Sequence, residues 1–254
     1  MLKLNYRALG EGQPMVILHG LFGSLDNWAT LGRKWSEEFN VILVDLRNHG
    51  KSPHTSSHSY PEMAEDVNRF LEEHDLFDVC LLGHSMGGKV AMQTALSFPD
   101  RLNSIIVADM APKAYPRGHD KIFEAMNALN LNVTSRKELE EKLFEYLDDK
   151  GIVLFLSKNL KRSSTGFEWK FNKEVLEKDY EKIIRALHSS NSFTKPALFI
   201  KGEKSHYLAE EDGSIIAPLF PQYQLNIIEN AGHWIHADNP NRFYNVVRQF
   251  LHKL

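Results

Sequence analysis

Only one cysteine, Cys80, occurs in the 254 residues, so an internal disulfide is excluded. Positive charge is not in excess either. Thirty Lys and Arg stand against 33 Asp and Glu, a net charge of −3, which argues against a dedicated nucleic-acid binder. No apolar stretch approaches the length of a membrane span. The opening Met-Leu-Lys-Leu-Asn-Tyr-Arg lacks the apolar run of a secretory signal. No spacing suits a metal site, and no glycine-rich loop enters a helix as a dinucleotide or phosphate site requires. The expectation is a cytoplasmic protein with no cofactor, no metal, no nucleic-acid partner and no membrane span. No signal for an oligomeric state is present.

Hydrophobic residues make up 43% of the chain, enough for a sizeable core. Short apolar runs alternate with segments of helical period. Strands are expected over Leu2–Leu9, Met15–Leu18, Val41–Val44, Asp78–Leu82 and Asn103–Ala108. Helices are expected around Trp28, Leu31 and Trp35, from Pro61 through Leu71, and over Met86–Phe98. From about Ala111 to Ser192 this rhythm stops and charged helical segments replace it, such as Lys121–Leu129 and Ser135–Asp148. It resumes with a strand at Ala197–Ile200, a helix near Glu210–Leu219, a strand at Gln222–Ile228 and a helix at Asn239–Leu251. The reading is an α/β core of residues 1–111 and 193–254, with a mostly parallel sheet flanked by helices. A helical insertion, residues 112–192, follows the strand ending at Asp109.

Gly83-His84-Ser85-Met86-Gly87 fits the G-x-S-x-G pattern. It follows Val79-Cys80-Leu81-Leu82 and precedes a helix, the context that this turn demands. A glycine-rich turn with an incidental serine is the competing reading, and the context disfavours it. Ser85 is the candidate nucleophile. A serine hydroxyl needs a base, and His233, just after the last strand, is the best placed of twelve histidines. His19, His84 and His236 read as structural or surface residues. The base needs a carboxylate to hold its tautomer. Asp109, at a strand end, is preferred over Glu203, Glu210, Glu211 and Asp212 in the later loop, where Ser205 stands at the position that best suits an acid. Asp109 as a mere turn residue before Pro112 is the competing reading. The N–H groups of Leu21 and Met86 are the expected oxyanion donors. Asp45, Arg47 and His49 read as a network bracing their loop. Lys113, Arg117, His119 and Lys121 read as a solvated helical face, with reception of an anionic substrate as the alternative. Phe22, Met110 and Trp234 are candidate pocket residues, with core filling the competing role.

Taken in order, His19-Gly20-Leu21-Phe22-Gly23-Ser24, Asp45-Leu46-Arg47-Asn48-His49-Gly50, Gly83-His84-Ser85-Met86-Gly87-Gly88-Lys89 and Gly232-His233-Trp234 resemble the α/β-hydrolase fold. Within it the chain is similar to the bacterial YbfF-type esterases over essentially its whole length. The resemblance implies a serine esterase acting on small acyl esters or acyl-CoA thioesters without a cofactor. It also implies a helical cap after Asp109 and an acid at the position matching Asp109. A carbon–carbon bond hydrolase with the same triad and a non-catalytic receptor on the same scaffold are the alternatives.

Overall fold

A computed structural model describes residues 2–254; Met1, where the expected core begins, lies outside the described residues. The chain enters through β1 (Tyr6–Leu9) and β2 (Pro14–Leu18), a 3-10 turn and α1 (Ala29–Trp35), then β3 (Asn40–Val44) and α2 (Tyr60–Glu73). The centre is β4 (Val79–His84), α3 (Met86–Ser97) and β5 (Leu102–Ala108). There follow α4 (Asp120–Ala128), α5 (Arg136–Phe144), α6 (Lys150–Lys158), β6 (Leu160–Arg162), β7 (Phe167–Trp169), α7 (Lys173–Lys178) and α8 (Tyr180–Ile184). The last part is β8 (Ala197–Gly202), α9 (Gly213–Ile216), β9 (Tyr223–Ile228), α10 (Ile235–Asp238) and α11 (Pro240–Leu251).

Seven strands form one sheet in the order β1-β3-β2-β4-β5-β8-β9. Every pairing in it is parallel except β1 with β3. The period of two divides each central strand between two cores. Val16, Leu18, Val79 and Leu81 face α2 and α3, where they meet Met63, Val67 and Val90. Met15, Ile17, Cys80 and Leu82 face α1 and α11, where they meet Trp35, Phe243 and Val247. Each fully buried side chain such as Ile17, Leu82 or Phe243 contributes roughly 1.5–3 kcal/mol by leaving water.

The expected elements of the sheet are present, shifted by a few residues at their ends. The first strand is shorter than Leu2–Leu9, and the helix expected over Glu210–Leu219 is a 3-10 turn followed by the four residues of α9. The segment between β5 and β8 differs more. It is not wholly helical, because β6 and β7 pair as an antiparallel hairpin, Leu160 opposite Trp169. It is tied to the loop after β3, where Asn172 N–H donates to Asn48 O at 2.9 Å and His49 bridges to Phe171. Among the described residues no helix is long and apolar enough to cross a membrane.

Candidate active site

Ser85 makes the step from β4 to α3. Its φ is 53°, a left-handed value that costs a residue with a side chain about 1–3 kcal/mol. Neighbouring hydrogen bonds hold it there: Ser85 N–H donates to Ala108 O at 3.0 Å, and Gly88 N–H to Ser85 O at 2.9 Å. The flanking glycines are required by space. A Cβ on Gly83 would lie 2.0 Å from Gly87 O, and one on Gly87 would lie 2.6 Å from Leu18 O. The turn is tight because strand and helix touch through bare backbone.

His233 follows β9 and reaches back over the sheet. Ser85 Oγ donates to its Nε2 at 2.9 Å, and its Nδ1–H donates to Asp109 Oδ2 at 2.7 Å. That polarity follows from the carboxylate, which can only accept. The Tyr207 ring stacks on the imidazole at 3.8 Å. From below, His84 Nε2–H donates to the His233 carbonyl at 2.8 Å. Burial pushes the His84 pKa well below the usual histidine range, so the ring stays a neutral donor.

Asp109 is fully buried at the end of β5, with φ 51°. Besides His233 it accepts from Gly202 N–H at 3.1 Å on Oδ1 and from the Ser205 hydroxyl on Oδ2. Ser205 therefore donates to the Asp109 carboxylate. The register explains this: Ala108 lies opposite Ile200, so the loops after β5 and β8 leave the sheet side by side. Two other carboxylates of that loop, Asp212 and Glu203, are engaged elsewhere. Asp212 pairs with Lys113 at 2.6 Å, and Glu203 accepts from Asn230 N–H at 2.8 Å.

The loop after β2 passes beside the serine. A Cβ on Gly20 would lie 3.3 Å from Ser85 Cβ. In this loop Phe22 N–H donates to His49 Nε2 at 3.2 Å and Gly23 N–H to Gly20 O at 3.1 Å. Among the described residues, neither Leu21 N–H nor Met86 N–H has a protein acceptor, and both residues line the recess over Ser85. Met86 also opens α3, where helix N–H groups are unpaired.

His19 and Asp45 shape that loop from behind. His19 donates through Nδ1 to Gly20 O at 2.8 Å and accepts from Leu46 N–H at 3.1 Å. Asp45 accepts from Leu25 N–H at 2.7 Å and Lys51 N–H at 2.9 Å. Arg47 pairs with Asp66 at 2.5 Å. Burial lowers the pKa of both His19 and His49. These polar residues brace the site.

The recess above Ser85 holds about 420 Å³ of empty space, part of it open to solvent. Leu21, Met86, Met110, Tyr115, His119 and Tyr207 contribute to its wall. Of the three expected pocket residues, Met110 is in place, whereas Phe22 and Trp234 are not among the lining residues. The Phe22 ring is sealed against Phe123 and Phe171, with centroids at 5.4 and 5.2 Å, and Trp234 packs on Phe155 at 5.7 Å. Lys113 is paired with Asp212, and Arg117 with Asp120 and Glu181. Of that basic group only His119 reaches the recess. Tyr115, His119 and Tyr207 carry no local sequence signal as wall residues, since tertiary packing alone assembles them. A larger, shallower hollow between α4 and α7 is lined by Arg117, Asp120, Glu124 and Glu177 and lies away from Ser85.

Behind the wall, Lys89 is fully buried. Its Nζ donates to Arg185 O and lies 4.8 Å from the Tyr115 ring centroid. Burial lowers its pKa from 10.5 to about 7. Holding a proton there costs the folded state free energy at pH 7 and below, and the cost fades as pH rises towards 10.5. The melting temperature of the wild type relative to Lys89→Met is therefore expected to rise between pH 6.5 and 9.5, by about 5 °C. Parallel melting curves across that range would contradict a buried, titrating amine.

The profile of the α/β-hydrolase fold family matches residues 13–240. The chain is 36% identical to esterase YbfF of Escherichia coli (strain K12) over 257 residues, 98% of this chain and 99% of that one. It is also 36% identical to the sn-1-specific diacylglycerol lipase of Mus musculus, over 98% of this chain and 85% of the relative. Among solved structures, a marine microorganism esterase superposes with a TM-score of 0.96 at 39% identity, covering 98% of this chain and all (100%) of that one. An E-2-(acetamidomethylene)succinate hydrolase shares the fold with a TM-score of 0.82 at 20% identity, over 98% and 95% of the two chains.

Proposed function

The chain belongs to the α/β-hydrolase fold family as a YbfF-type hydrolase of ester bonds, and we propose that it is a serine carboxylesterase cleaving short acyl esters through an acyl-enzyme on Ser85. The observation that carries this reading is the unbroken chain of hydrogen bonds from Ser85 Oγ through His233 to Asp109.

His233 Nε2 takes the Ser85 proton as Oγ attacks the acyl carbon. The carbonyl oxygen becomes negative and is held by Leu21 and Met86 N–H. The bond to the alcohol oxygen then breaks, and the His233 imidazolium gives its proton to that oxygen. Water, deprotonated by His233, attacks the acyl-serine; the bond to Ser85 Oγ breaks, His233 returns the proton to that oxygen, and the acid is released. Asp109 keeps the proton on Nδ1 and stabilises the imidazolium. Residues 112–192 act as a cap over a core of residues 1–111 and 193–254. The cap supplies Tyr115 and His119 to the recess, whose small size favours short acyl groups. We also propose a cytoplasmic location, with support from the single, buried Cys80.

A neutral ester fits better than a CoA thioester, because Lys113 and Arg117 are already spent on carboxylates. Side-by-side assays of p-nitrophenyl butyrate, butyryl-CoA and a vinylogous diketone test this. The expected order is a clear kcat/KM preference for the ester and no carbon–carbon cleavage. Preference for either other substrate would overturn the assignment.

Ser205→Ala removes one of three donors to the buried Asp109 carboxylate. A charge-assisted hydrogen bond lost at that distance from the substrate is expected to lower kcat about tenfold with little change in KM. An effect confined to KM would show that Ser205 does not act through the acid.

A further inference from the structure

His119 immediately precedes α4 and lines the recess together with Ser85. Its Nδ1 lies 2.5 Å from Tyr180 Oη. The same phenol oxygen accepts from Gly118 N–H at 3.4 Å. The phenol proton has Nδ1 as its one acceptor in reach among the described residues. Tyr180 thus donates, and the imidazole proton resides on Nε2. Burial lowers the His119 pKa to about 4, so the ring is neutral at working pH. Phe22 and Tyr180 pack edge-on around it, with interplanar angles of 67° and 74°, and fix its plane.

His119 Nε2 has no protein partner, yet it is not among the sealed and unpaired polar atoms of the described residues, which are Trp169 Nε1 and His236 Nδ1. It is therefore an accessible atom of a residue that lines the recess. Most other polar groups of the wall are occupied. Tyr60 Oη donates to Ile183 O at 2.7 Å, and Tyr115 Oη to Tyr207 O at 2.7 Å. The Tyr207 hydroxyl is free as well, but its ring is stacked on His233. His119 makes no hydrogen bond to Ser85, His233 or Asp109. The rest of the wall includes Leu21, Met86, Met110 and Ile184, which are apolar.

We propose that His119 Nε2–H, oriented by Tyr180, is a substrate-recognition donor, and that the preferred esters carry a second acceptor oxygen beyond the scissile ester group. This rests on the serine-esterase reading and names its substrate class. An oriented donor in an apolar wall discriminates strongly, because a substrate without the acceptor leaves that donor unpaired. The acceptor is an ether, hydroxyl or carbonyl oxygen of the alcohol part or of the acyl part.

Two isosteric pairs separate these sources. On the alcohol side, 2-methoxyethyl butyrate is compared with butyl butyrate. On the acyl side, p-nitrophenyl 3-methoxypropanoate is compared with p-nitrophenyl pentanoate. The readout is the kcat/KM ratio within each pair, taken for wild type relative to variant, so that intrinsic reactivity cancels. In one pair the wild-type ratio is expected to exceed that of His119→Phe by about tenfold. His119→Gln, which keeps a donor, should recover part of the preference. Tyr180→Phe, which frees Nδ1 to take the proton, should lose part of it. Ratios unchanged by His119→Phe in both pairs, in an enzyme that turns over, would overturn the proposal alone. A wild type whose turnover does not depend on Ser85 would overturn both this proposal and the esterase reading.

Discussion

Ser85→Ala is expected to lower kcat on p-nitrophenyl butyrate by about a million-fold while leaving the fold intact. The size of the effect follows from the role of the atom removed, because an alanine has no oxygen to attack the acyl carbon. The structural cost is small, because Ser85 Oγ has one hydrogen-bond partner, His233 Nε2, and that ring stays anchored by Asp109, His84 and Tyr207. Alanine meets the same strain at φ 53° as serine does, so the melting temperature should stay within a few degrees of wild type. Residual turnover comes from water activated by His233 and from the donors Leu21 and Met86. A variant that kept a tenth of wild-type turnover would remove Ser85 from the mechanism.

Asp109→Asn should be the second most damaging change, with a loss of about ten-thousand-fold in kcat. The carboxylate here accepts from three donors and gives to none. An amide cannot match that pattern. If its oxygen takes the Oδ1 place and serves Gly202, its NH2 takes the Oδ2 place, where it faces both the Ser205 hydroxyl and His233 Nδ1 and forces the imidazole proton onto Nε2. Nε2 then confronts Ser85 as a donor and cannot take its proton. Asp212→Asn is the matched control. Asp212 accepts from Lys113 and from Ala209 N–H and makes no contact with His233, so less than about a threefold effect is expected. A larger loss for Asp212→Asn than for Asp109→Asn would move the acid to the later loop.

The residues easiest to read in the sequence were those whose neighbours in the chain are also their neighbours in space. Gly83, Ser85 and Gly87 form one turn, and its need for glycine is visible in the local pattern. His233 follows a strand directly and could be placed at the sheet top by that alone. Ser205 shows where this stops. In sequence it marks a missing acid, and only the pairing of β5 with β8 shows that its hydroxyl serves Asp109, 96 positions away. The insertion was harder to read. Its helices announced themselves by charge and period, but β6 and β7 are three residues each, too short for a period of two to show. Trp169 ends that hairpin. His119 looked like one member of a basic cluster. Its companions Lys113 and Arg117 found carboxylates, and the fold alone turned it towards the recess.

The central claim is that Ser85 carries the acyl group. Labelling with a fluorophosphonate, followed by intact mass and peptide mapping, tests it most directly. The account predicts one adduct per chain, located on Ser85, growing in step with the loss of esterase activity and absent from Ser85→Ala. Esterase activity that survives full labelling, or a protein that turns over esters while Ser85 stays unmodified, would contradict it.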